Sequence, residues 1–333
     1  MALEFLELSP RDPDPHVRCD RGVSLVPAAD RQLHAPDRHL LAVDRGSLVA
    51  RASCWWRDAP SVERSRSGII GHYAAMDADS GALILSRSCQ ALESARCTTA
   101  IGPMDGTTWR RYRFIVERGT DPAFFLEPDN PDDWPQHWRS AGFSLLATYT
   151  SAANENLAGE DPRTADALTR LKDDGIVIRT YDPNRPDADL RSIFALSLVG
   201  FSHNFLYTPI SEAEFLAQNT AVLPFVRPEL ILLAEKEGAL VGFIFALPDV
   251  LQTRRGTAID TVILKTIAVH PSLSGMGLGG VLMDLVQRSA RQLGFRRAIH
   301  ALIHETSVSR KISDRYARTI RRYALFSRAL GTE

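Results

Sequence analysis

The stretch Ile267-Ala-Val-His-Pro-Ser-Leu-Ser-Gly-Met-Gly-Leu-Gly-Gly280 constrains this chain more than any other, because it dictates both a local arrangement and a ligand chemistry. Before it, Val262, Ile263, Leu264 and Ile267 to Val269 form a run with strand character. After it, Val281, Leu282, Leu285, Val286, Ala290 and Leu293 recur at helical spacing, and Gly294 sits where a helix C-terminus belongs. The pattern predicts strand, glycine loop, helix. Gly275, Gly277 and Gly279 let the main chain turn tightly and approach a ligand without interference from Cβ. The unpaired N–H groups at the helix start, with the positive end of its dipole, make a site for phosphate oxygens. The loop is expected to hold a phosphate-bearing cofactor.

Spacing decides which one. Gly275-Met-Gly-Leu-Gly-Gly280 satisfies the dinucleotide pattern G-x-G-x-x-G, with Glu305 as a candidate ribose-binding acid, so an NAD(P)-dependent enzyme is one reading. Two observations oppose it. His270-Pro-Ser-Leu-Ser274 separates strand from first glycine, and too little chain follows for the remaining strands of a dinucleotide-binding sheet. A proline two residues after the last valine, three residues more, then G-x-G-x-G, resembles instead the pyrophosphate loop of the GCN5-related N-acetyltransferases (GNAT), V-x-P-x-x-R/Q-G-x-G-x-G/A. That resemblance implies that the main chain of Ile267, Ala268 and Val269 pairs with the pantetheine arm of acetyl-coenzyme A. It implies also that Ser274, Gly275, Met276, Gly277, Leu278, Gly279 and Gly280 cradle the pyrophosphate. Ser274 stands where the family usually has Arg or Gln, a change that weakens but does not abolish a cradle made of backbone N–H groups.

The chain is longer than one such domain needs: 333 residues, 44% hydrophobic and 24% charged, suggest two soluble globular domains. A net charge of −1 gives no electrostatic reason to expect nucleic acid or anionic membrane as partner. Cys19, Cys54, Cys89 and Cys97 form no C-x-x-C pair and read as free thiols. No apolar run reaches membrane-spanning length and no secretory leader is visible, so a cytoplasmic location is expected.

Residues 1–38 carry five prolines and are expected to be an arm with at most a short strand, Phe5–Leu8. A hairpin with an Arg45-Gly46 turn follows over 39–56. Then come a strand (68–76), a helix (82–95), a strand (99–104), a helix ending in Ala-Gly-Phe143 and a strand (144–150). The second half repeats this order: a strand at 175–181, helices at 189–200 and 211–223, and a hairpin at 229–246 with a Glu237-Gly238 turn. The strand from Ile259, the glycine loop with its helix, and a strand at 298–303 complete it. The fold class expected is α/β (α+β), two tandem GNAT-like domains, each a mixed, mostly antiparallel central sheet flanked by helices. The boundaries are 1–152 for a degenerate N-terminal domain, 153–174 for a polar linker and 175–333 for the acyl-coenzyme A-binding domain. At the position of the glycine loop the first half offers Met76-Asp-Ala-Asp-Ser-Gly81, whose Asp77 and Asp79 repel a pyrophosphate, so one cofactor per chain is expected.

Acyl transfer from a thioester to an amine needs a base, donors for the oxyanion and a proton for the thiolate. The family often places a Glu on the strand before the glycine loop and a Tyr in the helix after the next strand. Here that strand has Lys265 and Thr266, with Asp260 at its start, and the tyrosine position falls on Ser313. If the helix after Glu305 runs on, Tyr316 is one turn away as a candidate acid; Asp260, His300 or His304 is the candidate base. Phe201, Asn204 and Tyr207, in an aromatic and polar loop between the first two helices of the second half, are candidate acceptor-binding residues, core plugs being the alternative. Arg110, Arg111 and Arg113 are either a solvated turn or a pocket wall for an anionic or planar group. The resemblance implies an acyltransferase using acetyl-coenzyme A as co-substrate and no metal. Its partner is a small-molecule acceptor, with no nucleic acid and no membrane, in a monomer or homodimer. A non-catalytic acyl-coenzyme A-binding module is the alternative.

Overall fold

The computed structural model describes residues 3–62, 65–159 and 161–331. The first half contains β1 (Leu3–Leu8), α1 (Ala28–His34), β2 (Arg38–Asp44), β3 (Ser47–Trp55), β4 (Ser67–Ala75) and α2 (Ala78–Ser94). It continues with β5 (Thr99–Gly102), β6 (Phe114–Glu117), α3 (Trp134–Ser140) and β7 (Ser144–Asn154). After α4 (Pro162–Asp173) the second half has β8 (Ile176–Thr180), α5 (Pro186–Gly200), α6 (Glu212–Thr220), β9 (Ile231–Lys236), β10 (Ala239–Pro248) and α7 (Leu251–Arg254). It closes with β11 (Thr261–Val269), α8 (Leu278–Gln292), β12 (Arg297–His304), α9 (Val308–Ser313) and β13 (Arg318–Ala329).

One continuous sheet runs β1-β2-β3-β4-β5-β13-β7-β12-β11-β10-β9-β8, with β6 also on β13. Among the described strands only β4–β5 and β11–β12 pair in parallel, over three and four residue pairs respectively, so the sheet is mostly antiparallel as expected. Both hairpin turns form at the expected dipeptides, Arg45-Gly46 and Glu237-Gly238, all four residues having positive φ. At the middle of the sheet the halves exchange strands. β13, from the second half, lies between β5 and β7, and β7, from the first, lies between β13 and β12.

Helices cover both faces. Ile84, Leu85, Cys89 and Leu92 of α2 and Trp138 of α3 pack on Leu40, Ala52, Cys54 and Ile70. Val281, Leu282, Val286 and Ala290, the predicted apolar stripe of α8, pack on Ile244, Val262, Leu264 and Ala298. On the opposite face of the second half, Ile193 and Leu196 of α5 and Phe215 of α6 meet Leu233, Phe243 and Ala268. Each buried Val, Leu, Ile or Phe side chain among them contributes about 1.5–3 kcal/mol.

Two expectations are corrected, and one element appears for which the sequence offered no reading. The stretch read as a linker, 153–174, is folded for the most part: β7 runs through Asn154, and α4 buries Thr164, Ala167 and Leu171. Its N-cap Asp161 accepts from Arg163 N at 3.0 Å and Pro162 takes the first helical position. Residues 318–329, which carry four arginines, form the long strand β13. The helix after Glu305 does not continue to Tyr316; α9 ends at Ser313.

Candidate active site

The glycine loop folds as its composition demands. Gly275 and Gly277 have φ of +84° and +89°, a region costly to any residue with a Cβ. α8 begins at Gly277 with no side chain capping it. The loop's backbone N–H bonds are those of Ser274 to Pro271 O, Met276 to Leu273 O and Val281 to Gly277 O. The N–H groups of Gly275, Gly277, Leu278, Gly279 and Gly280 have no acceptor among the described residues. They converge at the positive end of a fifteen-residue helix, a site for phosphate oxygens.

Beside the loop the sheet opens. β11 and β12 pair only from Thr261–Arg297 to Leu264–His300, and beyond that point each presents an unladdered edge. Lys265 is the extra residue of a β-bulge, since Phe245 faces Thr266 and the next residue, Ala246, faces Leu264. Around this gap lies a cavity of about 1970 Å³, lined by Ile267–Val269, Ser274, Gly275 and Gly277–Gly280 together with residues of both halves.

The first half has the same splay but fills it. Met104 N donates to Ile70 O at 2.9 Å, and a Cβ on Gly71 would lie 2.0 Å from Met104 O. At the start of α2, Asp77 Oδ1 accepts from Ser80 N at 2.9 Å and from Ser80 Oγ at 2.6 Å. A side-chain carboxylate thus already sits where, in the second half, the helix end is free.

Phe201, Asn204 and Tyr207 all line the cavity. Trp109 from the first half stands edge-on to Phe201, Tyr207 and Phe215, with centroids about 6 Å apart, and its Nε1 donates to Thr208 O. Trp109 and the loop 125–129 are wall residues missed at the sequence level. Nothing in their spacing ties them to a loop a hundred residues away.

The three candidate catalytic residues part company. His304 lines the cavity, its ring against Tyr149 and Phe205. Burial, then the charge of Arg113, push its pKa down. Its Nδ1 accepts from Thr306 N at 3.2 Å, which leaves the proton on Nε2. In that tautomer the ring is a hydrogen-bond donor and not a base. Asp260 is outside the cavity: it accepts from Gln252 Nε2 at 2.7 Å and from Thr261 Oγ1 at 3.0 Å, at the far end of β11. Tyr316 also lies off the cavity, packed on the core beneath α8 and α4, because α9 stops a turn short of it.

His300, the other candidate base, is held in a buried chain. Its Nε2 donates to Gln287 Oε1 at 3.2 Å, which also accepts from Asn154 Nδ2 at 2.8 Å. Ser313 Oγ donates to its Nδ1 at 2.8 Å. Burial holds its pKa down at about 4, so it is neutral and its nitrogens are both engaged. Arg110 is likewise removed from ligand duty: it forms a two-pronged ion pair with Glu214 of α6 at 2.7 and 3.0 Å.

Residues 197–318 match the model of the Acetyltransferase (GNAT) family. Among solved structures, a tandem GNAT protein from the clavulanic acid biosynthesis pathway is 12% identical, covering 99% of both chains, with a TM-score of 0.52. A protein of Enterococcus faecalis V583 described as a probable N-acyltransferase is 8% identical over all of this chain and 74% of its own, with a TM-score of 0.56. A GCN5-related N-acetyltransferase of Sphaerobacter thermophilus is 14% identical over 88% of this chain and 80% of its own, with a TM-score of 0.50. At such identities the likeness is one of fold. No curated protein matches the chain.

Proposed function

We propose that this chain, whose residues 197–318 belong to the GNAT family, transfers an acetyl group from acetyl-coenzyme A to the amine of a small-molecule acceptor in its second half. The observation that carries the proposal is the free N-terminus of α8 beside the open splay of β11 and β12. Five unpaired N–H groups and a loop with glycine at 275, 277, 279 and 280 fit a pyrophosphate, and the edge of Ile267–Val269 fits an amide-bearing arm lying along it. Bound there, acetyl-coenzyme A supplies an acyl group already activated as a thioester.

The chain's own residues set the environment of the transfer. His304 Nε2–H is a donor suited to an oxygen that gains charge. Lys265 and Arg113 make the cavity electropositive, which disfavours an ammonium and favours the free amine, its proton passing to solvent. Phe201 and Tyr207, with Trp109 across from them, provide an aromatic wall for the body of the acceptor. Calorimetric titration with acetyl-coenzyme A, NAD and NADP tests the first step; only the first should bind. Thiol release with a panel of amines tests the second.

One observation favours a second reading, a non-catalytic acyl-coenzyme A-binding module. Ser313 stands at the tyrosine position implied by the resemblance and gives its proton to His300 rather than to the cavity. Single-turnover measurements separate the two: binding without acyl transfer to any amine or alcohol would establish the module.

A further inference from the structure

Two cations meet in the cavity without a counter-ion. Arg113 and Lys265 both line it, one from the first half and one from β11, and neither lies within ion-pair distance of a carboxylate among the described residues. Glu127, whose charge reaches Lys265, already accepts from Arg321 Nη1 and from Tyr323 Oη.

The arginine is held in a set pose. Its guanidinium sits in the corner formed by the two perpendicular rings of Tyr112 and Tyr149, 3.7 and 4.2 Å from their centroids. One edge is used, since Nη1 donates to Leu302 O at 3.1 Å. Nε is buried with no acceptor, and none reaches Nη2 among the described residues. Nη2 is thus the N–H group of the guanidinium left to receive a carboxylate oxygen from the cavity.

The main chain is also distorted to build this place. Arg113, Leu126 and Leu302 all have left-handed backbones, φ of +66°, +64° and +61°, without being glycine. Leu302 O accepts from Arg113, and Leu126 O accepts from Lys265 Nζ at 3.2 Å. Strained residues thus carry the carbonyls that hold both cations. Such strain persists only where surrounding structure enforces it.

We infer that the acceptor carries a carboxylate, bound by Nη2 of Arg113 with Lys265 as the second cation, while its amine faces the splay of β11 and β12. The assignment rests on the acyl-transfer reading for the role of the amine, but not for the binding of the carboxylate. It accounts for why the missing Glu of the splay is replaced by a lysine. In a site for an anionic acceptor, a carboxylate on β11 would repel the substrate.

The probes are N-acetyl-α-amino acids, which carry the carboxylate of such a product, and their carboxamides, which differ only in charge. Calorimetry on the full chain without acetyl-coenzyme A should show the acids binding at least tenfold more tightly than the amides. Arg113→Met should remove that preference while acetyl-coenzyme A affinity is kept. If Arg113→Met does not fold, Lys265→Gln, on a half-buried side chain, should reduce the preference several-fold. Burial, and after it the charge of Arg113, hold the Lys265 pKa down at about 8 while Glu127 opposes them. Binding of an acid near pH 8 should therefore take up protons, and its affinity should fall as pH rises further. Equal binding of acids and amides, or binding of neither while acetyl-coenzyme A binds, overturns the inference. Failure of acetyl-coenzyme A to bind while the acids still do would overturn the acyl-transfer reading and leave the carboxylate site standing.

Discussion

Ser313 Oγ lies 2.8 Å from His300 Nδ1, and that contact takes both residues out of the chemistry. Their chain through Gln287 to Asn154 ties α9, β12, α8 and the end of β7 together, and its buried His300 lines the cavity where the splay begins. Ser313→Ala leaves His300 Nδ1 buried without a donor, at a cost of about 1–3 kcal/mol. The expected result is a lower denaturation midpoint with unchanged acetyl-coenzyme A affinity. A tenfold loss of affinity in a variant of wild-type stability would contradict it.

The same histidine should make the protein sensitive to acid. Its folded pKa, about 4, is below the ordinary value of 6.5, because burial disfavours the imidazolium. The unfolded chain therefore binds a proton that the folded one refuses, and stability falls as pH drops from about 6.5 to about 4 and levels off below. For His300 alone the loss is on the order of 3 kcal/mol. His39 and His72, also lowered by burial, act in the same direction. Urea midpoints across this range should decline more steeply for the wild type than for His300→Gln.

Cofactor binding should occur once per chain. Gly277→Glu puts a carboxylate into the cradle, forces a side chain onto a φ of +89° and brings its Cβ to 3.1 Å from that of Ala167; it should abolish binding. Gly81→Glu is no silent counterpart in the first half, since its Cβ would lie 2.5 Å from Tyr73 Oη. Asp77→Ala is the better comparison. It should cost about 0.5–2 kcal/mol through loss of a helix cap and leave the stoichiometry at one acetyl-coenzyme A, as read by titration.

Tyr316→Phe should change kcat less than twofold. The sequence suggested Tyr316 as the acid on the assumption of a continuing helix, and the chain instead turns after Ser313 into β13. A drop of ~10²–10⁴, the usual cost of losing a general acid, would restore Tyr316 to the mechanism.

Arg110→Ala should destabilise by about 3–5 kcal/mol, since it strands Glu214, a half-buried acid at the contact between the halves. A double-mutant cycle with Glu214→Gln reads the coupling directly. Additivity of the two changes would mean that the pair holds nothing together.

What could be read before the structure was whatever rests on local spacing. The glycine loop, the α8 stripe and both hairpin turns depend on residues within one or two turns of each other, and the physics of glycine and of helical periodicity fixes them. What could not be read depends on distant partners. β13 hides its strand character behind Arg318, Arg321, Arg322 and Arg328, and Arg321 is fully buried only because Glu127 and backbone carbonyls of the first half receive it. α4 buries a stripe of three residues in an otherwise polar helix. The tyrosines flanking Arg113 come from either side of the loop 125–129, thirty-seven positions apart in sequence by their own numbers, Tyr112 and Tyr149.

The exchange of β7 and β13 bears on the order in which the chain can be completed. β5 has β4 on one side and β13 on the other, so that second side stays bare until residues 318–329 have been synthesised. β7, made long before, has β12 and β13 as its only sheet partners among the described residues, and both come from the second half. The first half is thus denied the usual route of folding as a unit while the rest is still on the ribosome. Its hydrophobic edge must wait through half a protein's worth of translation for the strand that seals it.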